Sequence, residues 1–350
     1  MVSRAARIPL LLAVVACSKP PSGFDGRTAP IPATAHPATQ ANACDGSRSM
    51  ALHFYDVGQG LAVLVDLPDG RHVLVDTGDS PVREGCGDTC ARAHAHLLAK
   101  LREDLRGAPI DLLWITHQHS DHIGGAPDVA EAFAIGTYVD NGRDARKGEV
   151  RRAREAAAAR GAAVRVVDPD HVDAPLTPSP GVKLTPVVPA TWPASCREDA
   201  NECSIALRID DCASSVLLTG DAEHEEEKLL DPGGPVTLLQ VGHHGSETST
   251  SPAFLSKTHP GYAVISAGHP DEGLDREYCH PRAIVVERLT RVLGGAHGGA
   301  TLQAFDGTRC DRATDADWIA VPTSDRLWAT ERDGDVVVET RGDGVFRRSR

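Results

Sequence analysis

The chain has 350 residues, 41% hydrophobic, 24% charged and only 4% aromatic, which excludes a disordered or fibrous protein and leaves room for a substantial core. Its formal net charge of −13 argues against a protein built to coat nucleic acid, although a local basic groove is compatible with it. The one stretch apolar enough to meet a membrane lies at the extreme N-terminus, which argues against a polytopic membrane protein.

In residues 1–17, Arg4 and Arg7 precede a short apolar run from Ile8 to Ala16, broken only by Pro9. The run is too short for a spanning helix and has the layout of an export signal. Its last four residues, Val14-Val15-Ala16-Cys17, resemble the lipobox of bacterial lipoproteins. The resemblance implies a lipidated Cys17, a periplasmic or cell-surface location, and membrane attachment through that lipid alone; an ordinary signal peptide with an incidental cysteine is the alternative. Ser18, with no retention-type Asp after the cysteine, favours the outer membrane or the surface. Residues 18–48 carry Pro20, Pro21, Pro30, Pro32 and Pro37 among Ala, Thr, Gly and Ser, and read as a tether.

Setting Cys17 aside leaves eight cysteines, an even number suited to an oxidising compartment. Cys86 with Cys90, and Cys196 with Cys203, are close enough to pair as small loops. Cys44, Cys212, Cys279 and Cys310 are left to pair over longer range, in a connectivity that spacing does not determine. A zinc site at Cys86 and Cys90 would lack a second cysteine pair at matching spacing.

From residue 49 the pattern turns to alternating strands and helices. Strands are expected at Met50–Tyr55, Leu61–Leu67 and His72–Val75, the last ending in Asp76-Thr77-Gly78. A helix over Ala91–Arg106 precedes Ile110–Ile115, a continuous apolar run and hence a buried strand, which stops at Thr116-His117. Gly125–Ala134 and Glu149–Arg160 read as helices around a strand at Thr137–Asp140. Strands follow at Ala163–Val167, Val182–Val188, Ser204–Ile209 and Ser215–Leu218, the last ending in Thr219-Gly220-Asp221. A helix over His224–Leu230 leads to strands at Val236–Val241 and Tyr262–Ser266, then a helix over Ala283–Leu293. Beyond a strand at Trp318–Val321, Leu327–Thr330 and Val336–Thr340 are expected to form a hairpin about Arg332-Asp333-Gly334-Asp335. The whole is a layered α/β domain over 49–345, with its polar residues gathered at strand ends.

The densest chemistry is Thr116-His117-Gln118-His119-Ser120-Asp121-His122, three imidazoles and a carboxylate within six residues, directly after the buried strand. Alternation points His117 and His119 the same way, and the turn into the next helix brings Asp121 and His122 beside them. This suits two metal ions side by side, with nitrogen and oxygen ligands. The His-x-His-x-Asp-His motif, with Asp76 and Asp221 in order, resembles the metallo-β-lactamase-fold hydrolases. Phe54-Tyr55-Asp56-Val57-Gly58-Gln59-Gly60, Val241-Gly242-His243-His244-Gly245-Ser246 and Tyr262-Ala263-Val264-Ile265-Ser266 are similar to the hydrolase domain of ComEC-type DNA-internalisation competence proteins. The fold this implies is a four-layer αββα sandwich.

The resemblance further implies roles. His117 and His119 would bind one metal, Asp121 and His122 a second, and Asp221 would bridge them. Asp76 would buttress the His-rich loop. One of the next two histidines would complete a coordination sphere, with His243 favoured as the ligand and His244 nearer substrate, or the reverse; His280, in Tyr278-Cys279-His280-Pro281, would be a last ligand. Asp121, His244 and Asp76 are thus the catalytic candidates. The cofactor expected is Zn²⁺, one or two ions, with Mn²⁺ or Fe²⁺ as alternatives, supplying a metal-bound hydroxide. Two departures stand out: no ligand histidine falls between the His-rich loop and Asp221, where Asn201-Glu202-Cys203-Ser204 occupies the matching region, and Leu61-Ala62 follow Gly60 where competence proteins usually carry Asp-Ser. The basic residues Arg143, Arg146, Lys147, Arg151, Arg152 and Arg154 would either track phosphates or form a solvated face. The function expected is a metal-dependent phosphodiesterase or nuclease outside the cytoplasm, with DNA a possible substrate. The alternatives are hydrolysis of small carboxylic esters, lactones or choline phosphoesters, and a non-catalytic, metal-stabilised surface lipoprotein.

Overall fold

Strand alternation sorts the apolar residues of this chain onto two faces of each sheet, and the computed structural model, which describes residues 44–146, 148–173, 181–270, 272–295 and 300–349, shows where each face goes. Cys17 and residues 18–43 lie outside the described residues. In chain order the strands and helices begin with β1 (Met50–Phe54), β2 (Val63–Asp66), β3 (His72–Val75), α1 (Thr89–Leu105) and β4 (Ile110–Trp114). They continue with α2 (Ser120–Ile123), α3 (Ala126–Ala132), β5 (Ile135–Asp140), α4 (Gly148–Ala159), β6 (Ala163–Val166) and β7 (Val182–Val187). Next come β8 (Ala206–Asp211), β9 (Ser214–Leu218), α5 (His224–Leu229), β10 (Leu238–Gln240), α6 (Pro252–Thr258) and β11 (Tyr262–Ile265). The rest are α7 (Asp275–Tyr278), α8 (Ala283–Leu293), β12 (Thr301–Phe305), β13 (Trp318–Pro322), β14 (Leu327–Ala329), α9 (Thr330–Asp333), β15 (Val336–Thr340) and β16 (Arg347–Arg348).

An eight-stranded sheet runs β16-β15-β1-β2-β3-β4-β5-β6 and a six-stranded sheet runs β14-β11-β10-β9-β8-β7. The first is antiparallel up to β3 and parallel from β3 to β6; the second is antiparallel over β7-β8-β9 and parallel from β9 through β10 and β11 to β14. Within β2, Val63 and Val65 join the core between the sheets, while Leu64 faces the helices. In β9 the same division puts Val216 and Leu218 in the central core and Leu217 on the outer side. Leu97, Leu101 and Leu105 of α1, spaced by four, pack with Leu64, Leu74 and Leu113 on one flank. Val285, Val286, Leu289 and Leu293 of α8 do so with Leu217, Leu239 and Ile265 on the other. Each such buried aliphatic side chain contributes roughly 1.5–3 kcal/mol, and together they set the order helix, sheet, sheet, helix.

The expected hairpin between Leu327–Thr330 and Val336–Thr340 does not form. β14 pairs in parallel with β11 in the six-stranded sheet, while β15 pairs antiparallel with β1 in the eight-stranded sheet. In place of a tight turn, Thr330–Asp333 form the helical turn α9, which ends at Gly334. Asp333 accepts from the Ala329 N–H at 3.0 Å, and Thr330 Oγ1 exchanges bonds with the backbone of Ala267 at 2.9 and 3.0 Å, so the chain leaves one sheet before it enters the other. Three of the short helices, α2, α6 and α7, and strand β12, which forms a hairpin with β13, carry no periodicity long enough to read from sequence. Cys86 pairs with Cys90, and Cys196 with Cys203. The four left open pair as Cys44–Cys212 and Cys279–Cys310. With Cys86 and Cys90 in a disulfide, the zinc reading of that pair does not stand.

Candidate metal centre

Parallel strands end together, so whatever follows their last residues is gathered at one edge. Asp76 follows β3, Thr116 to His122 follow β4, Asp221 follows β9, Gly242 to Gly245 follow β10, and Ser266 follows β11. The ligand atoms of Asp121, His122, Asp221 and His244 all lie within 4.8 Å of one another, the one such group among the described residues. His122 Nε2 is 3.1 Å from Asp221 Oδ2 and 4.0 Å from Asp121 Oδ2. His244 Nε2 is 3.4 Å from both carboxylates.

The far nitrogen of each ring is fixed from behind. Asp76 Oδ2 accepts from His122 Nδ1 at 2.7 Å, and the Ser266 carbonyl accepts from His244 Nδ1 at 2.7 Å. Asp76 is itself held, taking the Thr116 N–H on Oδ1 and the Thr116 hydroxyl on Oδ2, both at 2.7 Å. With both Nδ1 protons so committed, the two Nε2 atoms turn lone pairs on each other across 3.3 Å. That approach, beside a buried Asp221 whose two oxygens have no hydrogen-bond partner, calls for a cation between them. The residues present therefore fit a bound metal.

With no cation there, the surrounding carboxylates would draw protons onto those same two nitrogens. Burial alone would strip the proton from His122, but Asp221, Asp76 and Asp121 hold its pKa well above the usual imidazole value. His244 is buried too, and Asp221 and Asp121 push it up to about 10. Burial opposes the charge of Asp221 and Asp121, yet the imidazoles around them hold both carboxyls far below the usual carboxylate range. The centre is built to retain positive charge.

Local backbone explains the aim of these side chains. Asp76 has φ 58°, and His243 and His244 have φ 48° and 53°, left-handed values costly for residues with a Cβ. Two successive left-handed residues turn the adjacent imidazoles to different partners, one into the four-residue group and the other toward Glu223. Glycine is required where the loops close on one another: a Cβ on Gly60 would lie 2.7 Å from the Asp121 carbonyl, and one on Gly242 would lie 2.1 Å from Ser249 Oγ.

A model of the metallo-beta-lactamase superfamily matches residues 55–269. The chain belongs to that superfamily. Its fold is that of the superfamily's metal-dependent hydrolases. It is 32% identical over 241 residues, 67% of its own length, to Recombination protein 2 of Haemophilus influenzae. It is 30% identical over 263 residues, 67% of its length, to ComE operon protein 3 of Bacillus subtilis. These matches span 26% and 30% of the two relatives, so the chain covers less than a third of their length. Among solved structures, CmlA, a diiron beta-hydroxylase from Streptomyces venezuelae, aligns over 70% of this chain and 51% of its own, at 15% identity and a TM-score of 0.44.

Around the superfamily centre the remaining candidates take distinct places. His117 is buried with Nε2 unpartnered, its ring 4.2 Å from that of His122 and 4.9 Å from that of the exposed His119. His243 stands outside the group of four: Nδ1 is 2.8 Å from Glu223 Oε1, and Nε2 is 3.9 Å from Asp221 Oδ2. His280 is buried, 5.1 Å from His243 ring to ring, with Nδ1 3.3 Å from Gln59 Nε2; burial and the neighbouring imidazoles hold its pKa well below the usual value. Where relatives were expected to carry another histidine, Asn201 places its amide 3.3 Å from His243 and 3.4 Å from Glu223. Glu223 and Ser266 are further site residues, outside the expected ligand set. Glu223 lay two positions from Asp221, and Ser266 carried the signal of a strand end. Of the basic residues, Arg154 pairs with Asp140, Arg151 with Glu155 at 3.0 Å and Arg152 with Glu149 at 3.6 Å; Lys147 lies outside the described residues. No helix among the described residues is long and apolar enough to cross a membrane.

Proposed function

We propose that this chain is a metal-dependent phosphodiesterase that works outside the cytoplasm, tethered through residues 18–43 to a lipid on Cys17; Cys44, disulfide-bonded to Cys212, already belongs to the domain rather than to the expected 18–48 tether. The observation that carries the catalytic reading is the close group of Asp121, His122, Asp221 and His244, the last three buried, at the edge where parallel strands of both sheets end. The similarity to relatives named for recombination and competence supports a nucleic-acid phosphodiester as substrate.

His122 and His244 would hold a metal through Nε2, with Asp121 and Asp221 as carboxylate ligands. Asp221, both of whose oxygens lack hydrogen bonds, would bridge to a second ion supported by His117 and His119. Nitrogen and oxygen ligands suit Zn²⁺, and also Mn²⁺ or Fe²⁺. When bound, the ion or ions supply Lewis acidity and an activated water. The protein's part is orientation. Asp76 and the Ser266 carbonyl fix the two ring tautomers, and Glu223 steers His243 to the border of the same carboxylate, opposite His280.

The test is cleavage of labelled single- and double-stranded DNA by the full chain in detergent, loaded with Zn²⁺ or Mn²⁺, beside Asp221→Ala. The parent is expected to cleave, and the variant to lose more than about 100-fold, beyond the loss typical of a residue that only orients a ligand. Hydrolysis of a carboxylic ester with no cleavage of either DNA would move the substrate to small esters.

A further inference from the structure

Two disulfide-held loops stand side by side at the mouth of the centre. The first, after β3, contains Cys86–Cys90; the second, which carries α7, is anchored by Cys279–Cys310. They pack directly. Cys86, Cys90 and Leu274 form a small apolar cluster of their own, a Cβ on Gly273 would lie 3.0 Å from Thr89 Cγ2, and one on Gly85 would lie 3.6 Å from Glu277 Oε1. The first loop presents Arg83 and the second presents Tyr278.

Arg83 is half-buried, and among the described residues its guanidinium has neither a hydrogen bond nor an ion pair, although Asp79, Tyr278 and Asp121 are its electrostatic neighbours. Arg282, by contrast, bonds Glu247 at 3.2 Å and the Gly307 carbonyl at 2.9 Å, and Arg154 is paired with Asp140. Tyr278 is 39% exposed, large for an aromatic ring in so buried a neighbourhood, and its ring centroid is 6.3 Å from that of His280. Asp121, a member of the metal group, is an electrostatic neighbour of both Arg83 and Tyr278. An unengaged guanidinium and an open aromatic face, set together against the reacting centre on a cross-linked wall, match the two parts of a nucleotide.

We infer that Arg83 and Tyr278 form the strand-binding rim of this centre, Arg83 taking a backbone phosphate next to the scissile one and Tyr278 stacking an unpaired base. This rests on the phosphodiesterase reading above and narrows its substrate to single-stranded nucleic acid, because a base held in a duplex offers no free face to a tyrosine. A guanidinium takes phosphate oxygens in a forked geometry, and base–aromatic stacking is tolerant of sequence, so the rim would track a strand without reading it.

The test measures binding without turnover: fluorescence anisotropy of a labelled oligothymidylate against the full chain in detergent, with chelator present. Tyr278→Leu is expected to weaken binding about tenfold, and Tyr278→Phe, which keeps the ring, to retain wild-type affinity. Arg83→Gln is expected to weaken binding and to flatten the salt dependence by about 0.7 in logarithmic slope. On an abasic strand the Tyr278→Leu loss should vanish while the Arg83→Gln loss persists. Equal binding by wild type, Arg83→Gln and Tyr278→Leu, or no binding of the strand by wild type, overturns the rim; metal-dependent cleavage of a small phosphodiester by the same preparations would then still uphold the reading of the centre.

Discussion

Asp76 is fully buried behind His122, and it determines what that histidine can do. Its carboxylate is fully buried and accepts three hydrogen bonds, two from Thr116 and one from His122 Nδ1. Asp76→Asn would keep the shape but offer an N–H where the ring donates, or force the other tautomer and lose the Nε2 lone pair. Metal affinity should fall about 10- to 100-fold with the fold intact, measured by metal titration beside circular dichroism. The dense histidine motif was legible because its members are neighbours in sequence and follow a buried strand. The division of labour between His243 and His244 was not. It depends on two left-handed backbone residues and on the Ser266 carbonyl and Glu223, which the chain supplies from elsewhere.

Between elements, the two sheets are joined at the site edge by a specific pair of bonds. The Trp114 indole N–H on β4 donates to the Ile205 carbonyl just before β8 at 2.8 Å, and the Ile205 N–H donates to the Thr116 carbonyl at 2.9 Å. Trp114→Phe would leave a buried carbonyl with one partner fewer and a smaller ring in the central core. A loss of about 1–3 kcal/mol is expected in urea unfolding, with metal binding weakened in step because Thr116 anchors Asp76. Most strands and the long helices α1, α4 and α8 were readable from local apolar periodicity. The supposed hairpin near the C-terminus shows where that reading fails: two apolar runs and a Gly-containing connection look alike whether the strands pair with each other or, as here, one with β11 and the other with β1 at the far end of the domain.

For the whole molecule, a buried carboxyl makes stability depend on pH. Glu331 sits on α9, where the chain passes from one sheet to the other; burial, with help from Asp333 and Asp56 and against Arg332, raises its pKa to about 7. A carboxyl whose folded pKa exceeds its unfolded value contributes stability that is complete below the unfolded pKa and is lost as pH rises through the folded one. Glu331→Gln should therefore match wild type near pH 4.5 and melt about 2–4 °C higher at pH 8, read from Tm against pH. Equal Tm values at both pH values would mean that Glu331 is solvated in the folded state.

The sequence by itself determined the α/β class, the order of most strands, the even cysteine count and the gathering of histidines and carboxylates behind strand ends, because each is a local pattern of residue type or periodicity. Only the tertiary structure decided which sheet each C-terminal strand joins, how Cys44, Cys212, Cys279 and Cys310 pair, and that Asp121, His122, Asp221 and His244 close on one point. Those are relations between segments distant along the chain. They are settled by which buried faces and hydrogen bonds can be satisfied together, a condition that no single stretch of sequence expresses.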